Sequence, residues 1–320
     1  MNIEKSRISN SYYATKFSKN IKQMKAHYQL YLFALPAIIY FLIFKYLPMY
    51  GVQIAFRDFT PSMGISGIWE APWAGLKYIQ QFVESYHFWA LIKNTLAISA
   101  SILIIAQPIP IIFALLLNEI DNIKFKKTIQ TVSYAPHFIS MVVMISMMKL
   151  FLSPSTGLIN NILDKVGYDK IHFMIKGSWF VPLYTLSHIW QHMGYGAIIY
   201  IAVLATVNPS LVEAAIIDGA NRFQKILYIN IPAILPTIVI LYLLAIGRVM
   251  TVGFEKVFLM QNPANMMSSD VISTYTYRAG LIGGDFSFGA AVGLFNATIN
   301  FIMLITANKM AKRIGETSLF

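Results

Sequence analysis

Asn208-Pro209-Ser210-Leu211-Val212-Glu213-Ala214-Ala215-Ile216-Ile217-Asp218-Gly219-Ala220-Asn221 is a polar interruption between two long apolar runs, and its reading decides the fold. Asn208 can cap a helix with Pro209 at the first helical position, or Ser210 can cap it with Glu213 three residues on. Either way a helix starts here. Asp218-Gly219 then offers a residue free to take positive φ, and the chain resumes as Arg222 to Asn230 before Ile231-Pro232 and Leu235-Pro236 lead into the next apolar run. The stretch predicts a helix, a sharp turn and a second helix, a compact elbow over 208–231.

Outward from the elbow, six segments approach the roughly 20 apolar residues that cross a bilayer as a helix. They are Leu30 to Tyr50, Thr95 to Leu117, Thr131 to Phe151, Trp179 to Val207, Ile231 to Val252 and Phe286 to Ala307. Composition agrees: 57% of the 320 residues are hydrophobic, 12% are charged, and mean hydropathy is +0.58. Prolines such as Pro36, Pro108, Pro136 and Pro236 fall inside these runs and predict kinks that neighbouring helices accommodate. The net charge of +11 sits in short segments beside the apolar runs, which suits membrane flanks and excludes a nucleic-acid surface. With no cysteine, disulfides, thiolate metal sites and a cysteine nucleophile are excluded.

Lysine and arginine set the orientation. The N-terminal tail, the segment at Lys124, Lys126 and Lys127, the elbow with Arg222 and Lys225, and the end with Lys309, Lys312 and Arg313 hold more of them than the alternate segments do. Both termini are therefore expected in the cytoplasm, with a basic tail over 1–27, a transmembrane domain over 28–310 and a second tail over 311–320. The first apolar run reads as a permanent span, because a long polar lead precedes it and no convincing cleavage site follows.

The elbow resembles the signature of the importer permeases of the ABC superfamily: Glu-Ala-Ala, three residues, Gly, about nine residues, then Ile-x-Leu-Pro. Here the stretch reads Glu213-Ala214-Ala215, Ile216-Ile217-Asp218, Gly219, and later Ile229-Asn230-Ile231-Pro232, with Ile231 where the family has Leu. The resemblance implies an all-α permease fold of the type I importers, with six transmembrane helices and a cytoplasmic coupling elbow. It implies that Glu213, Ala214, Ala215, Asp218, Gly219 and Arg222 dock on an ATP-binding subunit. The implied partners are a second, similar permease, two ATP-binding subunits and an external substrate-binding protein in the bacterial cytoplasmic membrane. ATP and Mg then belong to the partner subunits, and this chain, which lacks a phosphate-binding loop, holds no cofactor. The Asp-Gly-Ala variant is typical of sugar permeases. Tyr134-Ala135-Pro136-His137-Phe138-Ile139-Ser140, Gln261-Asn262-Pro263-Ala264-Asn265 and Phe286-Ser287-Phe288-Gly289-Ala290-Ala291 look like the oligosaccharide subfamily. Unlike maltose-type permeases, the chain has no large external insertion. The plain alternative for the elbow is an interfacial amphipathic helix.

A solute path needs polar groups at mid-membrane depth, and the candidates are His137, Trp190, Gln191, Tyr195, Tyr242 and Arg248. Aromatic faces stack on sugar C–H faces, while amides and imidazoles pair with hydroxyls; related maltose-type permeases use the equivalent three spans. Packing alone is the alternative for Trp190 and Tyr195. His188 and His192 have the i, i+4 spacing of a metal pair, but no third ligand is evident and cavity lining fits them better. Gly289 and Gly293 form a small-xxx-small pair for helix packing. Two other functions stay open: a permease for a non-sugar solute, and a membrane-embedded enzyme, which would require carboxylates or a metal cluster where the spans carry almost none.

Overall fold

The structure, a computed structural model, describes residues 26–313, so 1–25 of the first predicted tail and 314–320 of the second lie outside the described residues. Among the described residues every regular element is helical, and the only extended pairing is an isolated bridge between Arg57 and Trp73. The chain divides into two compact units, one ending at Ile54 and one beginning at Ala55.

The helices used below are α1 (Tyr28–Phe56), α2 (Lys77–Val83), α3 (Phe88–Asn118), α4 (Ile123–Phe138), α5 (Met141–Phe151), α6 (Leu158–Lys165), α7 (Gly177–Leu204), α8 (Pro209–Ile217), α9 (Arg222–Ile246), α10 (Phe254–Met260), α11 (Ile272–Thr276) and α12 (Phe286–Arg313). Of these, α1, α3, α9 and α12 are each long and apolar enough to span a membrane. Two bent pairs, α4 with α5 at 98° and α7 with α8 at 81°, pass the same length and composition test together, and counting each pair once gives up to six. The run Thr131 to Phe151 is thus not one straight span. Pro136 sits in a tight 3₁₀ turn, Ile139 and Ser140 are extended, and the Ser140 hydroxyl accepts the Val143 N–H at 3.4 Å to start α5.

Wide π turns interrupt the spans at Leu42–Tyr46, Ile102–Ala106 and Ile226–Asn230, and each ends two residues before a proline: Pro48, Pro108 and Pro232. The regularity has a steric reason. A proline ring clashes with the carbonyl four residues back, and in all three cases that carbonyl, of Phe44, Ile104 or Tyr228, lies in the widened turn.

Lipid tails are as apolar as leucine, so close fit rather than water exclusion holds spans together. A Cβ on Gly194 of α7 would lie 2.3 Å from the Ser133 carbonyl oxygen of α4, and one on Gly196 would lie 3.2 Å from Pro110 of α3. Gly289 of α12 meets Gly280, with a Cβ on the latter 2.8 Å from the Gly289 Cα. Gly293 has no neighbour within 4 Å of a built Cβ, so the predicted small-residue pair is half right. Below them, Leu115, Ala197, Tyr200, Leu204 and Ile234 form one buried cluster joining α3, α7 and α9.

The connections at 57–87 and 253–285 are ordered by side-chain hydrogen bonds. Asp58 accepts Lys77 Nζ at 2.7 Å and Tyr78 Oη at 2.8 Å, and the Lys77 hydrogen bond above all holds its carboxyl below the usual range. Asn262 and Asn265 both donate to the Met174 carbonyl, at 2.7 and 2.9 Å, and Asn265 is only 2% exposed.

Candidate functional site

Two places concentrate polar chemistry. The first is a cavity of about 560 Å³ between α3, α7 and α9, lined among others by Gln107, Pro110, His188, His192, Tyr195 and Leu241. On α7 the residues at 188, 191, 192 and 195 follow i, i+3, i+4, i+7 spacing and share one face. His188 and His192 have ring centroids 4.5 Å apart, His192 Nδ1 lies 3.1 Å from His137 Nδ1, and His137 stacks flat on Tyr195 at 3.7 Å and 1°. One nitrogen of the His137–His192 contact carries the proton and the other accepts it. Three imidazoles and a phenol ring therefore form a continuous string from α7 to the end of α4. Gln191, 3% exposed, donates Nε2 to the Ile139 carbonyl at 3.0 Å and so fastens α7 to the break between α4 and α5, while its buried Oε1 has no partner.

The structure brings His137, Gln191 and Tyr195 together and separates the other three candidates from them. Trp190, 46% exposed, borders a different, apolar cavity of about 490 Å³ with Met144, Met147 and Phe151. Tyr242 does not line the first cavity, and Arg248 follows the end of α9 as an exposed residue. Trp190 differs because it lies one residue, about 100° of helix, from Gln191.

Sequence reasoning missed Lys256. It lies in the connection between α9 and α12, outside the long apolar runs, where lysines are ordinarily solvated, yet it is 3% exposed, with Nζ donating to the Tyr184 carbonyl at 2.9 Å and lying 4.4 Å from the Tyr184 ring centre. No carboxylate pairs with it among the described residues, and burial pushes its ammonium down to about 7. Lys256 is also an electrostatic neighbour of His188 and His192. The described residues contain no group of three or more His, Cys, Asp or Glu placed for a metal ion.

The second place is the elbow. Asn208, not Ser210, caps α8, its side chain accepting the Ser210 N–H at 3.1 Å with Pro209 first in the helix. Gly219 takes φ +79° in open space, and Ala220 N–H returns to the Ala215 carbonyl at 2.8 Å. Asn221 and Gln224 then close a capping box, at 2.9 and 2.8 Å, that starts α9. Glu213, Ala214, Asp218, Gly219 and Arg222 are exposed and Ala215 half-buried, with Leu211, Ile216, Ile217 and Phe223 exposed around them. Beneath this surface Lys225 pairs with Glu119 at 3.3 Å, and Arg222 lies 3.6 Å from Asp121. Those acidic partners were missed too; the available signal was Glu119 and Asp121 ending one apolar run on the same predicted side as Arg222 and Lys225.

Residues 101–315 match the family described as binding-protein-dependent transport system inner membrane component. The chain is 43% identical over 300 residues to the polygalacturonan/rhamnogalacturonan transport system permease protein YteP of Bacillus subtilis (strain 168), covering 94% of this chain and 92% of that one. It is 41% identical to Protein LplB of the same organism, over 91% of each chain. A chain of the crystal structure of a bacterial ABC transporter involved in the import of the acidic polysaccharide alginate superposes with a TM-score of 0.84 at 40% identity, covering 93% of this chain and all of that one. A chain of a bacterial alginate ABC transporter in complex with alginate pentasaccharide-bound periplasmic protein gives 0.83 at 39% identity. Such a family performs transport, which sets aside the alternative of a membrane-embedded enzyme. The elbow, the bent spans and the match over 101–315 lead to one assignment: this chain belongs to the binding-protein-dependent transport system inner membrane components, as a multi-pass ABC permease.

Proposed function

We propose that the chain carries an acidic oligosaccharide across the bacterial cytoplasmic membrane, as one of two permeases driven by two ATP-binding subunits and fed by an external binding protein. The observation that supports this reading is the string His137–His192–His188 beside a buried Lys256, with no carboxylate among the described residues to neutralise it. Imidazole N–H groups hold carboxylates and hydroxyls alike, and a buried ammonium favours an arriving anion. The relatives named for polygalacturonan and alginate point the same way. A neutral solute, sugar or not, would leave the ammonium uncompensated.

In this reading residues 28–310 form the permease domain, flanked by cytoplasmic tails at 1–27 and 311–320. ATP and Mg act on the partner subunits. Their closure moves the elbow residues Glu213, Ala214, Ala215, Asp218, Gly219 and Arg222, and the spans switch the cavity between outward and inward access. His137, Gln191 and Tyr195 face the solute together with His188 and His192, while Trp190, Tyr242 and Arg248 serve at the margins of the path.

The test is uptake by the assembled importer in proteoliposomes, with its binding protein and ATP, of a uronate trisaccharide and of its carboxyl-reduced counterpart. ATP-dependent uptake of the uronate, with at least about tenfold preference, is the expected result; a tenfold ratio corresponds to about 1.4 kcal/mol of discrimination. Equal uptake of both would remove the acidic specificity, and uptake of neither would remove the sugar.

A further inference from the structure

We propose that Glu119 is a positioning residue that ties the elbow to the cavity wall, so that elbow movement reaches α3 through a Glu119–Lys225–Asn230 clasp. Glu119 follows the last turn of α3, where a carboxylate faces the negative end of the helix dipole and is disfavoured. Its two oxygens are nevertheless held across the chain, Oε2 by Lys225 Nζ at 3.3 Å and Oε1 by Asn230 Nδ2 at 3.3 Å. The clasp is shielded: the Lys225 and Glu119 side chains are 17% and 14% exposed, and Asn230 is buried. By contrast the Arg222–Asp121 pair is open to solvent, and a pair of that kind contributes little.

The placement of the partners gives the clasp direction. Lys225 is the residue before the π turn Ile226–Asn230, and Asn230 is its last residue, so one carboxylate is held from both ends of the widened turn of α9. Glu119 lies nine positions beyond Pro110, a cavity-lining residue of α3 and the contact of Gly196. At 1.5 Å per residue this is roughly 13 Å of helix. A shift of the elbow toward or away from the membrane therefore pulls α3 and α9 together at their cytoplasmic ends.

The experiment measures sugar moved per ATP hydrolysed by the complete importer in proteoliposomes, with the binding protein present. Glu119→Gln and Lys225→Met should each lower that ratio about fivefold or more, the factor that accompanies loss of roughly 1 kcal/mol of coupling. Both single variants should assemble in wild-type amount, which a purely local folding role would not allow, and the exchanged pair Glu119→Lys with Lys225→Glu should recover most of the ratio. Wild-type ratios in both single variants overturn the proposal. So does a fall that follows the amount of assembled importer and is not relieved by the exchange. Docking of the elbow itself fails on a different result, normal coupling in Glu213→Lys, so the two readings are separable.

Discussion

Lys256 buries a charge that no carboxylate among the described residues pairs with, its ammonium held by the Tyr184 carbonyl and set against the Tyr184 ring. Burial of this kind costs stability and is retained where it serves a site. Lys256→Met should accordingly raise the thermal stability of the purified importer, by about 1 kcal/mol or more, and lower uptake of the uronate. The pH dependence follows from the depressed pKa. Below about 7 the unfolded and folded chains both carry the proton and the burial cost is complete; between about 7 and 10.5 the unfolded chain holds more protons, so stability rises with pH. The stability gap between Lys256→Met and the wild type should thus be widest below pH 7 and close above it, as thermal unfolding across that range would show; a constant gap would exclude a charged Lys256. Sequence shows that His188, Gln191, His192 and Tyr195 share a face, because helical spacing alone places them. It does not show the His137–Tyr195 stack or the isolation of Lys256, since both depend on how separate spans meet.

The elbow was legible nearly residue by residue, because caps and a glycine turn are local chemistry. Gly219 sits at φ +79° with nothing within 4 Å of a built Cβ, so conformation rather than crowding is the constraint. Gly219→Asn should be tolerated, while Gly219→Val should cost about 1–2 kcal/mol at the turn and reduce ATP-coupled uptake. Equal coupling in both variants would mean that the turn bends freely. The spans were legible in number but not in straightness. Pro136 marks the 98° break only together with Ser140, whose hydroxyl starts α5; at Pro48, Pro108 and Pro232 a π turn keeps the helix going, and Pro36 and Pro236 sit within unbroken α-helix. Whether proline breaks or widens a helix is decided by the residues that follow it, and hydropathy windows average those away.

For the whole chain, topology rests on the distribution of lysine and arginine, and a labelling experiment tests it directly. Asn265 would be a poor reporter because it is buried; Met267, two residues on, is 90% exposed. A Met267→Cys variant in this cysteine-free chain should react with an impermeant maleimide in intact cells, and reaction only after membrane permeabilisation would invert the topology. The fold class and the family were within reach of the sequence because apolar run length and the elbow motif are one-dimensional signals. The course of the solute path was not, and Trp190 shows why: one residue of helical phase moves a side chain from one cavity to another.

Gly194 and Gly196 carry one last mechanical implication. Two residues apart on a helix is about 200° of rotation, so these glycines press α7 against α4 and α3 on nearly opposite sides. A rod gripped that way cannot spin about its own axis without driving backbone into backbone at Ser133, and the Gln191 and His192 contacts with the end of α4 hold its depth as well. The imidazole string, which crosses from α7 to His137 of α4, therefore stays whole because the two helices move as one body, presenting the same donors to whatever occupies the cavity.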